Sequence, residues 1–169
     1  MSLNLPIVRP EDSVGKVLRL MDEYKVCHLA LVNGEVFAGL IYEEDLMERD
    51  EETPLAAMEA RPVSVEPQLH LYDVVSRLVE SEVDAMPVVH AGKFLGCIEP
   101  KAVLRFLAKS THWAGLGAVL VLEVPKNDLS IAEIARLVEG ADAKVIACTT
   151  SQKDDSSNVE VTLKLNTQD

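Results

Sequence analysis

The segment CHLALVNGEVFAGLI, Cys27 to Ile41, is answered further along the chain by MPVVHAGKFLGCI, Met86 to Ile98. Phe37 matches Phe94, Gly39 matches Gly96 and Ile41 matches Ile98, each pair 57 positions apart, and the same offset joins Pro10 to Pro67 and Val26 to Val83 without a gap. A constant offset of this kind marks two copies of one structural unit. Two copies are too few for an open solenoid, so a closed pseudo-twofold pair is the expected way to bury both apolar faces.

Each copy reads in the same order. A short extended segment (Leu5 to Val8; Pro62 to Val65) passes through Pro10 or Pro67 into an amphipathic helix, with Val14, Val17, Leu18 and Met21, or Leu71, Val74, Val75 and Leu78, at helical spacing. Asp12 or Ser13 can cap the first of these helices. Two apolar strands follow, His28 to Val32 and Glu35 to Tyr42, with the hairpin signal Asn33-Gly34 between them. The second copy repeats the pair as Met86 to His90 and Phe94 to Glu99 around Ala91-Gly92, and further helices close the copies at Glu43 to Arg49 and Pro100 to Lys109. The acidic run Glu48 to Glu52 between the copies reads as a solvated linker.

This β-α-β-β-α unit, with its Pro-led entry, Val-rich strand, glycine-started strand and acidic position in the last helix, resembles the CBS domain. The two copies are similar to a Bateman-type CBS pair, with repeats expected at 3–57 and 58–112. Beyond the connector STHWAGLG (Ser110 to Gly117), where Trp113 reads as a packing anchor, a different unit is expected at 118–169. Its elements are a strand at Ala118 to Val124, a helix at Ser130 to Glu139 opened by the capping box Ser130-x-x-Glu133, and strands at Ala143 to Thr149 and Val159 to Leu165. This β-α-β-β order resembles the first two thirds of an ACT domain, ending where a further helix and strand would follow. The fold class is therefore α/β (α+β): two CBS repeats in a pseudo-twofold pair plus a partial ACT-like unit. The order of units resembles the acetoin-utilization-type CBS-ACT proteins of bacteria.

Composition narrows the function. A net charge of −12 disfavours attraction to nucleic-acid phosphates and anionic lipid surfaces, and no apolar run approaches the length of a membrane span. A cytoplasmic protein is expected. Cys27, Cys97 and Cys148 lie far apart in apolar runs and read as reduced core thiols, while His28, His70, His90 and His112 show no metal-ligand spacing. No nucleophile elbow, phosphate loop or dinucleotide fingerprint is present, which leaves catalysis without a motif. No cofactor is expected.

The CBS resemblance implies a binding task instead. In that family a glycine-hydrophobe-x-Thr/Ser-x-x-Asp pattern at the end of the last strand and start of the following helix holds adenosine-containing ligands. The carboxylate accepts from ribose hydroxyls, and the helix start offers N–H groups to an anion. The first repeat matches at Gly39, Ile41 and Asp45 but carries Tyr42 at the hydroxyl position, with Ile7, Leu29 and Ala30 as expected walls and Arg9 and Lys16 as the nearby cations. The second repeat matches at Gly96 and Ile98 but carries Glu99 for the hydroxyl and Ala102 for the aspartate, with Met86 and Pro87 at the wall positions, so its site reads as degenerate. Adenosine, AMP or S-adenosylmethionine is the expected ligand class, ahead of ATP, because Glu43 and Glu44 repel further phosphates. The ACT resemblance implies amino-acid binding through a glycine turn, yet the turn Pro125-Lys126-Asn127-Asp128 has no glycine. Both resemblances imply a homodimer. The alternative reading is a ligand-free dimerisation scaffold.

Overall fold

The computed structural model describes residues 5–112 and 115–166, so Leu3, Trp113 and the last three residues, about which the sequence raised expectations, lie outside the described residues. The chain divides into two units, 1–103 and 104–169. In the first, β1 (Ile7–Val8) lies parallel to β2 (His28–Asn33), which pairs antiparallel with β3 (Val36–Tyr42). The helix α1 (Val14–Tyr24) connects β1 to β2, and α2 (Glu43–Leu46) follows β3. The second repeat supplies α3 (Leu71–Ser81), β4 (Met86–His90), β5 (Lys93–Ile98) and α4 (Pro100–Ser110). The five strands run in the order β1-β2-β3-β5-β4.

The repeat is visible in backbone detail. Both α1 and α3 end on a left-handed residue, Lys25 (φ 55°) and Glu82 (φ 50°), and both hairpins carry an irregularity, at Leu31/Val32 and Val88/Val89. Gly39 and Gly96 hold the same strained φ, 142° and 138°, which a side chain rarely tolerates. The hairpins meet through reciprocal bonds: the Phe37 N–H donates to Gly92 O and the Phe94 N–H to Glu35 O, each at 2.9 Å. Beside them the Phe37 and Phe94 rings stack with centroids 6.2 Å apart. Equivalent residues therefore face each other across a local pseudo-twofold axis.

Four local readings change. The first turn is Gly34-Glu35 rather than Asn33-Gly34, because Asn33 pairs with Val36 and Gly34 (φ 64°) supplies the left-handed first position of a glycine-first two-residue turn. The second turn falls on Ala91-Gly92 as expected. The extended segment 62–65 contributes only a bridge, Val65 to Val88, since Pro62 has no N–H to give and Arg61 instead exchanges backbone bonds with Leu40. The helix expected to reach Arg49 stops at Leu46, and the acidic linker behind it is more than solvated. Its Glu51 and Thr53 carbonyls accept the Gly15 and Val14 N–H groups, satisfying donors at the start of α1 that have no partner within the helix. The Ser13 hydroxyl accepts from Lys16 N–H and completes that cap.

The core under β1–β3 is aliphatic: Val14, Val17 and Met21 of α1 pack on Val8, Leu29, Leu31 and Ile41, closed by Leu46 and Leu55. Of the cysteines, all free, only Cys97 is buried; Cys27 and Cys148 are exposed, contrary to the expectation of three core thiols.

The second unit is a three-stranded antiparallel sheet in the order β6-β8-β7, formed by β6 (Val119–Pro125), β7 (Val145–Ser151) and β8 (Asn158–Leu165). The helix α5 (Ile131–Gly140) covers one face, Ile134 and Val138 packing on Val159, Val161, Leu163 and Leu165. Alternate residues of β8 are buried, as the period of a half-covered strand requires. Ser130 caps α5 by accepting from Glu133 N–H at 3.3 Å, as its capping-box spacing anticipates.

Candidate functional site

The end of β3 delivers Tyr42 to the start of α2, where the Glu43 N–H is held by Cys27 O at 2.8 Å. The Tyr42 ring has two partners: the buried His28 ring, centroids 5.4 Å apart, and the Arg61 guanidinium, which sits over the ring face with its carbon 4.1 Å from the centroid. Such a cation over an aromatic face is electrostatically favourable. Partial burial pushes the Tyr42 hydroxyl pKa up, with Asp45 and Glu44 adding to that and Arg61 opposing it.

Asp45, on the first turn of α2, does not wait with open lone pairs. Arg61 Nη2 donates to its Oδ1 and Oδ2, both at 2.9 Å, and to Glu44 Oε1 at 2.6 Å. These carboxylate bonds, and the charges behind them, hold the guanidinium protonated more firmly still. Around the group lies an open cleft of about 590 Å³, lined by Glu44, Asp45, Glu48 and Arg49 on the α2 side and by Met58 to Pro62 on the linker side. That volume suits a mononucleoside-sized ligand.

The expected walls are elsewhere. Leu29 and Ile41 are an adjacent cross-strand pair inside the core under α1, 2% and 1% exposed, while Ala30 is buried beside Leu40 and Ile7 stands at the sheet edge. None of the four lines the cleft that contains Asp45. Of the two expected cations, Lys16 pairs with Asp12, and at Arg9 it is the backbone N–H that donates to the same carboxylate, at 2.8 Å. Sequence reasoning missed Arg61, because a residue 16 positions from Asp45, at the start of the other repeat, has no spacing signal.

In the second repeat Glu99 precedes α4, its carbonyl accepting from the Ala102 and Val103 N–H groups at 2.9 and 3.2 Å. Its Oε1 is buried and has no hydrogen-bond partner among the described residues. Burial, with the Glu99 charge adding to it, pushes the adjacent Cys97 thiol up to about 11. Met86 is wholly buried opposite Ile98, and Pro87 is buried opposite Cys97 with its carbonyl taken by the Val65 N–H. Ala102 has no side-chain acceptor. Among the described residues no group of three or more His, Cys, Asp or Glu could hold a metal ion, and no helix is long and apolar enough to cross a membrane.

A β-α-β-β-α repeat and a second α-β-β-α repeat, led by the bridge at Val65 and related to the first by a local pseudo-twofold, define a paired two-repeat module. The profile of the family described as CBS domain matches residues 1–52 and 55–109, and the chain belongs to that family. Solved structures agree on the fold. A CBS domain pair/ACT domain protein from Thermotoga maritima matches with a TM-score of 0.59 at 19% identity, covering 64% of this chain and 92% of that one. A putative acetoin utilization protein (AcuB) from Vibrio cholerae matches at 0.55 and 19%, over 64% and 87% of the two chains. CBSX2, solved in complex with AMP, matches at 0.54 and 25%, over 63% and 89%. The comparison with curated proteins gives no match.

Proposed function

We propose that this CBS pair is a non-catalytic regulatory module that senses an adenosine-containing small molecule through its first repeat. The observation that carries the reading is the contrast between the repeats: Asp45 stands in an open cleft of about 590 Å³, while the equivalent Ala102 has nothing to accept a ribose hydroxyl. The AMP complex of CBSX2, a relative in fold at 25% identity, supports the ligand class. Asp45 is the ribose acceptor, and Tyr42 offers a ring face for a base. Glu44, Asp45, Glu48 and Glu59 outnumber Arg49 and Arg61 in the cleft, so adenosine and S-adenosylmethionine rank above AMP, and AMP above ATP. The repeats occupy 3–57 and 58–112, and the unit at 118–169 is ACT-like, its β6-β8-β7 order with one covering helix supporting that assignment. The module works in the cytoplasm as a homodimer, for which the exposed apolar residues Tyr72 and Val79 of α3 give support.

Calorimetry with adenosine on the wild type and on Asp45→Ala tests the reading. Loss of the heat in the variant is the expected result, and equal affinity removes Asp45 from the site. The second reading, a dimerisation scaffold with an empty cleft, is favoured by the Arg61 bonds that already occupy Asp45. No heat from any adenosine compound, with a dimer still seen by light scattering, would establish it.

A further inference from the structure

Arg61 contacts both features that an adenosine ligand would use. Its Nη2 donates to Asp45 Oδ1 and Oδ2, as two ribose hydroxyls would, and its planar guanidinium covers Tyr42, as a base would. We infer that Arg61 is an internal ligand mimic: its guanidinium competes with the ligand for Asp45 and Tyr42, and the site opens only when that side chain swings away. This rests on the adenosine reading of the same cleft.

The backbone makes such a swing feasible without disturbing the fold. Arg61 N–H donates to Leu40 O at 2.9 Å and Arg61 O accepts from Leu40 N–H at 2.8 Å, so the main chain is pinned to β3 whatever the side chain does. The side chain is 43% exposed, and among the described residues its hydrogen bonds all leave from Nη2. Releasing it therefore breaks one cluster of surface bonds and the contact with the Tyr42 ring, while the backbone pairing stays in place. Gly39 allows the close approach: a Cβ there would lie 2.7 Å from Ala60 Cβ and 2.9 Å from Arg61 O.

The mimic also defines the chemistry of the ligand. Whatever displaces Arg61 must bring hydrogen-bond donors to Asp45 and a flat surface to Tyr42, and it enters a cleft that has just lost a positive charge from beside three carboxylate oxygens. A neutral or cationic nucleoside satisfies all of this. An anionic nucleotide meets Glu44, Asp45, Glu48 and Glu59 with one fewer cation held among them.

The test is calorimetry with adenosine on the wild type and on Arg61→Met, which keeps the aliphatic bulk, with Asp45→Ala built into each background. Arg61→Met should bind adenosine about tenfold tighter, and Asp45→Ala should remove the gain. A second arm needs no substitution at Arg61: salt screens the guanidinium–carboxylate bonds, so raising it should tighten wild-type binding of this uncharged ligand and leave Arg61→Met unchanged. Equal or weaker adenosine binding by Arg61→Met, with Asp45→Ala still defective, overturns the competition and leaves the adenosine reading intact. No binding by either background overturns the adenosine reading and the competition with it.

Discussion

Replacing His28 tests how the two repeats are held together. His28 belongs to β2 of the first repeat, is 3% exposed, and its Nε2 accepts from the Asp84 and Ala85 N–H groups of the second repeat at 3.0 and 3.3 Å. Nε2 must therefore be unprotonated, with the ring proton on Nδ1, facing the Asp84 carboxylate 3.7 Å away. His28→Ala leaves two amides without an acceptor, one of them buried, and at about 1 to 3 kcal/mol for a buried unpaired group the expected loss is about 1 to 3 kcal/mol from that one alone. Burial holds the His28 pKa below its ordinary value, with the Asp84 charge opposing. The unfolded chain then takes up the proton first as pH falls. Stability from His28 is complete above the unfolded pKa of about 6.5 and declines as pH falls from there towards the lower folded value. Urea denaturation between pH 7.5 and 5 measures both effects, and His28→Gln, which keeps an acceptor that does not titrate, should lose the decline. A loss below about 1 kcal/mol in His28→Ala, or the same pH slope in His28→Gln as in the wild type, would refute the reasoning.

Gly39→Ala should destabilise the chain by about 2 kcal/mol or more in denaturant melts, since it sets a side chain at φ 142° and drives a Cβ to 2.7 Å from Ala60. Ser130→Ala should cost about 1 kcal/mol by removing the cap that accepts from Glu133 N–H, read as an earlier loss of α5 in hydrogen exchange. Native alkylation at neutral pH should label Cys27 and Cys148 and spare Cys97, whose buried thiol sits at about 11; mass spectrometry after unfolding should then find Cys97 reactive.

The fold was legible because its signals are periodic. The offset between Phe37 and Phe94, or Gly39 and Gly96, survives in the sequence because each pair does the same backbone job on both sides of the pseudo-twofold. Helix and strand positions followed from spacing for the same reason. The site was half legible. Asp45 announces itself by its place after Gly39 and Ile41, yet its partner in the structure, Arg61, arrives from the start of the second repeat. The walls failed for a physical reason: in β2 and β3 the residues beside Asp45 in the motif alternate, and Leu29 and Ile41 fall on the face that α1 needs for its core. The acidic run Glu48 to Glu52 misled in another way, because the Glu51 carbonyl, together with that of Thr53 just beyond the run, does the structural task at the start of α1.

The pseudo-twofold is maintained where symmetry serves and broken where it would not. At the hairpins, Glu35 and Gly92 accept equivalent bonds, and the two phenylalanines stack. One strand further, the equivalents His28 and Ala85 meet, and so do Cys27 and Asp84: the Cys27 N–H donates to Asp84 Oδ2 at 2.9 Å while Asp84 and Ala85 donate to His28. Two identical repeats would bring two histidines, or two aspartates, to the places where one of each now suffices. Duplication within one chain lets each copy take one role, and the interface becomes directional. The ligand positions follow the same logic. Once the repeats are joined by an asymmetric seam, the equivalent positions are free to differ, and a module built from two similar halves carries Asp45 in one repeat, held by Arg61, where the other carries Ala102.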